Sequence, residues 1–185
     1  MRILINVLVF EAGWFASVLG AARGLPWLGP VVVLVAVAFN LFRNPRWPAE
    51  VALNVTAGVL GFIIDTGLIA FGVFAPIRYW LSFPLSPIWM VFMWINFATL
   101  LNVSLKWLHG RYLLAAMLGA LGGPAAYYGG AQLGAAQQTM GMASLLTLAV
   151  VWSAAVPALL FTAKVVERRV TTWTDRLPGG EGRSP

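Results

Sequence analysis

Apolar residues occur along the chain in six runs, separated by short stretches rich in polar residues, glycine or proline. A helix of about 20 apolar residues, rising ~1.5 Å per residue, is long enough to cross a hydrocarbon core of roughly 30 Å. The pattern therefore predicts an all-α, polytopic transmembrane helix bundle of about six helices within residues 1–165. A polar cytoplasmic tail, partly disordered, is predicted for 166–185. The predicted spans are 3–22, 30–42, 51–74, 88–105, 112–128 and 143–163.

Two of the predicted helices are irregular. Segment 30–42 is short for a full span, so it either extends into the flanking turn, thins the bilayer locally or crosses only halfway. Segment 112–128 contains Gly122-Gly123-Pro124, which predicts a kink or an early helix end because proline removes a backbone hydrogen bond.

The third segment carries polar residues on one side. Asn54 and Asp65 are eleven residues apart, which at about 100° per residue returns them to one helix face. Gly58, Gly61 and Gly72 fall on the same face. Small residues allow a second helix to approach closely, and polar residues need partners that lipid does not offer. We expect this helix to be central, with this face turned into the bundle.

The composition excludes several classes of protein. Hydrophobic residues make up 60% of the chain and charged residues 10%, which does not describe a soluble domain. The absence of cysteine excludes disulfides and thiolate chemistry, and a single histidine excludes a His-rich metal site. We therefore predict no metal and no cofactor. The nine tryptophans mostly fall near predicted membrane interfaces, as expected of an aromatic belt.

The net charge of +6 is explained by membrane orientation rather than by nucleic-acid binding. If the N-terminus is cytoplasmic, ten of the twelve Lys and Arg residues lie on the cytoplasmic side of a six-span protein, and only Arg23 and Arg78 lie outside. This bias follows the positive-inside rule. It predicts that the N-terminus and the C-terminus are both cytoplasmic.

Most of the strongly polar residues within the predicted spans lie in the cytoplasmic half, on several different helices. One interpretation is interhelical hydrogen bonding, worth under ~1–2 kcal/mol per bond. The other is a cytoplasm-facing polar pocket that admits a headgroup or a small anion. The candidates for lining this pocket are Asn6, Glu11, Asn54, Asp65, Asn96, Asn102 and Arg111. The candidates for binding a headgroup or anion are Arg43, Arg46, Lys106 and His109.

Glu11 and Asp65 need an explanation because an acidic residue near the bilayer centre costs ~2.5–3.5 kcal/mol without a partner, a proton or water. Either residue is a proton carrier or general base, or it is hydrogen-bonded and specifies helix pairing. His109 lies in a Lys/Arg-rich turn. It is interpreted as a solvated loop residue, with a catalytic acid or base role as the alternative.

Several segments resemble a known family. They are NVLVFEAGWF at 6–15, Val18-Leu19-Gly20, Gly110-Arg111 and Pro124-Ala125-Ala126-Tyr127. They are similar to the bacterial inner-membrane family catalogued as domain of unknown function 2878, over most of residues 1–165. The resemblance implies a multi-pass protein of the bacterial inner membrane, encoded near genes for membrane-lipid modification, but no reaction. Gln is common in the family at the position of Glu11, which argues against a general base there.

Three functions are therefore considered. The first is an inner-membrane protein that binds or translocates a lipid or amphipathic small molecule through the polar pocket. The second is a membrane-embedded enzyme acting on lipid, with Glu11 or Asp65 as base and His109 assisting. The third is a non-catalytic scaffold subunit. The expected partners are membrane lipids and a homo-oligomer or membrane complex, without nucleic acid, and a non-enzymatic role is favoured.

Overall fold

The computed structural model describes residues 1–42, 44, 46–77, 82–137 and 141–174, with side chains up to residue 169. These residues form six α-helices and one short 3-10 helix, and no strand occurs among them. The 3-10 helix, Lys106–Leu108, precedes the fifth α-helix. The α-helices are α1 (Arg2–Ala22), α2 (Leu28–Phe42), α3 (Trp47–Ala70), α4 (Ile88–Leu101), α5 (Tyr112–Gln132) and α6 (Met142–Thr174).

The prediction of an all-α bundle of about six helices is confirmed. The early end of the fifth helix is not observed, because α5 continues through Pro124 to Gln132. Extensive packing of α5 against α6 supports the helix across the proline. Helix α6 continues to Thr174, so the first part of the predicted tail is helical. Residues 175–185 lie outside the described residues.

Three helical segments among the described residues are long and apolar enough to cross a membrane: Arg2–Ala22, Trp47–Ala70 and Met142–Arg169. Leu28–Phe42 and Ile88–Leu101 are apolar but shorter. Helix α5 has a sufficient length of 21 residues. It is rich in Gly and Ala, which contribute less hydropathy than Leu or Ile.

The predicted small and polar face of α3 is turned into the bundle, since Asn54, Gly58, Gly61 and Asp65 are all buried. Gly72 is not on this face, because α3 ends at Ala70 and Gly72 adopts a positive φ of 69° in the following turn. The helix in the middle of the bundle is α4 rather than α3. It is only 14 residues long and packs against α1, α2, α3 and α6.

Side-chain contacts bring the charged turns to one end of the bundle. Asn6 near the start of α1 accepts a hydrogen bond from Ser104, which follows α4. Arg46, just before α3, forms an ion pair with Glu167 in α6. The start of α1, the starts of α3 and α5, and the C-terminal parts of α4 and α6 therefore lie together. We call this the basic end.

The opposite end of the bundle is held by backbone contacts between two loops. The amide of Ile77, after α3, donates to the carbonyl of Ala135, after α5. The amide of Gln137 donates to the carbonyl of Ala75. The C-terminal ends of α3 and α5 are thereby joined, and α5 runs in the same direction as α3.

Candidate functional site

An internal cavity of about 530 Å³ lies between α1, α4, α5 and α6 and reaches Asp65 on α3. Its volume falls in the range of small-molecule sites, about 300–1,000 Å³. Most of the lining is apolar, and eight aromatic rings contribute to it. We call it the aromatic cavity, after these eight residues: Phe10, Trp14, Phe74, Trp89, Trp94, Phe97, Tyr127 and Trp152.

Asp65 is the buried acidic residue of this cavity, with a side chain that is only 1% exposed. The indole Nε1 of Trp94 donates a hydrogen bond of 2.9 Å to Asp65 Oδ2. The hydroxyl of Tyr127 donates to Asp65 Oδ1. Since these donors come from α4 and α5, one carboxyl group connects three helices. A carboxylate has about four acceptor positions, so two donors leave capacity for a third.

The aromatic rings pack on one another around Asp65. Trp94 and Trp152 are stacked, with centroids 4.5 Å apart and an interplanar angle of 14°. Phe74 meets Tyr127 edge-on at 5.1 Å. Offset stacks and edge contacts are the arrangements that the ring quadrupole favours. The rings therefore pack against one another and form one wall of the cavity.

Glycines of α5 allow Trp152 of α6 to pack closely against this helix. A methyl group at Gly123 would overlap the ring of Trp152, and one at Gly119 would overlap its backbone carbonyl. Both glycines are buried and face α6. Gly122 differs, because it lines the cavity and an added methyl group would have no neighbour within 4 Å. Small residues on α5 thus permit close helix packing on one side and leave open space on the other.

The cavity reaches the outside of the bundle between α1 and α5. Glu11 on α1 and Leu118 on α5 are exposed residues that also line the cavity. The two helices approach each other toward the opposite end, where a methyl group at Gly129 would lie 3.7 Å from the Trp14 ring and one at Gly134 would lie 3.5 Å from Ala22. The opening is therefore a lateral one, nearer the basic end.

Of the seven predicted pocket residues, the structure brings Glu11 and Asp65 to the aromatic cavity. Asn6 is buried elsewhere and donates to the carbonyl of Thr99 at 3.1 Å. Asn96 donates to the carbonyl of Phe10 at 2.8 Å. These amides connect α1 to α4, as the hydrogen-bonding interpretation expects.

The other three predicted pocket residues also lie away from the cavity lining. Asn54 is buried on α3, and its side-chain oxygen has no hydrogen-bond partner within the described part of the chain. Asn102 donates to Glu50 Oε1 at 3.1 Å, which ties the end of α4 to the start of α3. Arg111 is exposed just before α5.

The predicted headgroup or anion residues do not line the cavity either. Arg46 is exposed and paired with Glu167, and Lys106 is exposed at the basic end. The ring of His109 contacts the carbonyl of Leu101 at 3.1 Å through Nε2. Arg43 lies outside the described residues. Where the structure describes the chain, no cluster of three or more His, Asp or Glu side chains could hold a metal ion.

The aromatic residues of the cavity were not predicted as a site. The sequence interpretation assigned most tryptophans to membrane interfaces, whereas Trp89, Trp94 and Trp152 are buried in the bundle. Trp94 and Trp152 stand near the middle of their apolar runs rather than at the ends. That position was the available signal, because a belt tryptophan belongs at a helix end.

The fold and the cavity define the class: an α-helical bundle, with helices apolar enough for a membrane, around an internal aromatic cavity. The chain belongs to the family described as Protein of unknown function (DUF2878), whose profile matches residues 3–158. No curated protein and no solved structure matches the chain.

Proposed function

We propose that this protein is an integral membrane protein that binds or translocates a lipid or amphipathic small molecule in the aromatic cavity. The observation that carries the proposal is the cavity itself: about 530 Å³, walled by packed aromatic rings and reached by Asp65. Ligand sites are typically apolar concavities with a few convergent polar groups. The polar groups here are the carboxyl of Asp65, the hydroxyl of Tyr127 and the carboxyl of Glu11 at the opening.

The lateral position of the opening supports a ligand that enters the cavity from the lipid bilayer. Leu118 of α5 is exposed at the opening, and the exposed Leu114 and Leu121 lie one turn away from it on the same helix face. In a membrane these side chains contact acyl chains, so an apolar molecule can pass from lipid to cavity without crossing water. This geometry modifies the initial hypothesis, because the proposed pocket is aromatic and laterally open rather than a polar pocket lined by asparagines.

The proposal includes six spans in a bacterial inner membrane, with both termini cytoplasmic. It is supported by the charge distribution, since the basic end carries Arg2, Arg46, Lys106, Arg111 and Lys164. Positive residues favour the cytoplasmic side. A reporter fused after Lys164 is expected to be cytoplasmic, and a periplasmic reporter would contradict this orientation.

The binding proposal is tested with two glycine variants that make the same change in different places. Gly122→Phe places a ring in the cavity, whereas Gly67→Phe places one on α3 outside its lining, where an added methyl group likewise has no neighbour within 4 Å. Native mass spectrometry of gently purified protein is the measurement. We expect a bound small molecule in the wild type and in Gly67→Phe, and its loss in Gly122→Phe.

Two outcomes would contradict binding in this cavity. One is a wild-type protein without any bound small molecule in several mild detergents. The other is the same bound mass at the same occupancy in all three proteins. Either result would favour the scaffold interpretation, in which the buried amides and Asp65 serve helix packing alone.

A further inference from the structure

The ionisable residues of the aromatic cavity differ in kind from those that dominate the protein as a whole. The chain carries a net charge of +6. The described lining of the cavity nevertheless contains two carboxyl residues, Glu11 and Asp65, and no Lys, Arg or His. An anionic headgroup or fatty-acid carboxylate in this space would face two acids and no cation. The cavity therefore disfavours anions and suits a neutral or positively charged molecule.

The neighbourhood of Asp65 favours the positively charged alternative. A carboxylate in a low-dielectric site needs a counter-charge or a proton. Trp94 and Tyr127 donate to it through neutral N–H and O–H groups, so neither neutralises it. Aromatic faces attract organic cations through the ring quadrupole, and rings surrounding a cation are the known recognition mode for quaternary ammonium groups. The stacked pair of Trp94 and Trp152 stands next to the carboxyl.

We propose that the occupant is an amphipathic organic cation, with an amine, quaternary ammonium or similar onium group near Asp65 and an apolar body against the aromatic rings. This inference rests on the proposed function and adds the substrate class. Glu11, exposed at the lateral opening, places a second carboxyl group on the access route. An amphipathic cation that enters from the bilayer thus meets one acid at the opening and another in the interior.

The test uses two ions of nearly the same shape and opposite charge, tetraphenylphosphonium and tetraphenylborate. Binding of each is measured by equilibrium dialysis against purified full-length protein in a non-ionic detergent, with protein-free micelles as the partition control. We expect saturable binding of tetraphenylphosphonium and no saturable binding of tetraphenylborate. Asp65→Asn should weaken cation binding at least about tenfold, equal to ~1.4 kcal/mol. Glu11→Gln removes the carboxyl at the opening and leaves the buried carboxyl of Asp65 in place, so it should weaken cation binding less.

The comparison of the two ions on the wild-type protein remains decisive even if Asp65→Asn fails to fold. Equal affinity for both ions, or tighter binding of the borate, would overturn the inference. So would an unchanged affinity for the cation in a folded Asp65→Asn protein, shown by an unaltered circular dichroism spectrum and elution volume. If the wild type still holds a small molecule that Gly122→Phe loses, while the cation shows no preference, the proposed function stands and the substrate class is refuted.

Discussion

Two neighbouring glycines of α5 are expected to respond to alanine with opposite signs. A methyl carbon at Gly123 would lie 2.6 Å from Trp152 Cβ and nearer still to the ring, whereas carbon atoms pack at about 3.5–4.0 Å. Trp152 cannot readily swing away, because it is stacked on Trp94 at 4.5 Å. Overpacking of this kind lowers the free energy of unfolding by about 1–3 kcal/mol. Replacing a helical glycine by alanine raises it by about 0.5–1 kcal/mol, because alanine has the higher helix propensity. The net expectation for Gly123→Ala is a destabilisation of about 1 kcal/mol.

Gly122→Ala is the matched control. Its methyl group would enter open space, so the gain in helix propensity is unopposed and stability should rise by about 0.5–1 kcal/mol. Because about 1 kcal/mol shifts the melting temperature of a chain of this length by roughly 2–4 °C, the two variants should melt several degrees apart.

The assay is thermal unfolding of both variants and the wild type in one detergent, followed by far-ultraviolet circular dichroism. Shifts in the same direction would refute the reasoning. So would a Gly123→Ala protein as stable as the wild type, because Trp152 would then not be confined between α4 and α5. In either case the wall of the aromatic cavity would differ from the one described above.

Three further changes test the packing elsewhere. Gly119→Ala should destabilise more than Gly123→Ala, by at least about 2 kcal/mol, because its methyl group would meet the backbone carbonyl of Trp152 as well as the side chain of Val156. A smaller loss in the same melting assay would argue against the close approach of α5 and α6. Ser104→Ala removes the 2.6 Å hydrogen bond to Asn6 and leaves the side-chain oxygen of Asn6 as a buried acceptor without this donor. A denaturant titration should show that the free energy of unfolding falls by about 1–3 kcal/mol. An unchanged free energy of unfolding would count against that contact. Arg46→Ala breaks an exposed ion pair and should lower the free energy of unfolding by under ~1 kcal/mol in the same titration. A greater loss of stability would mean that the pair is better shielded from water than its exposure indicates.

Some site residues could be predicted because their chemistry conflicts with their surroundings. Asp65 and Glu11 stand out as acids within apolar runs, and both line the cavity. The asparagines stand out for the same reason, yet Asn6, Asn96 and Asn102 form interhelical hydrogen bonds away from it. A polar residue in a membrane helix needs a partner, and the sequence does not say whether that partner is another helix or a ligand.

The all-α fold, the starts of the helices to within a few residues and the buried face of α3 could be predicted from the amino-acid sequence. These follow from local rules: apolar run length, the 3.6-residue period and the distribution of glycine and proline. Which helix is central and where the open space lies depend on how the six helices pack against one another. Cavity position depends on side chains far apart in sequence, such as Trp94 and Trp152, meeting across helices. No local pattern encodes that meeting. The position of a tryptophan in the middle of an apolar run argues against an interface role, but it does not say which residue of another helix the ring will contact.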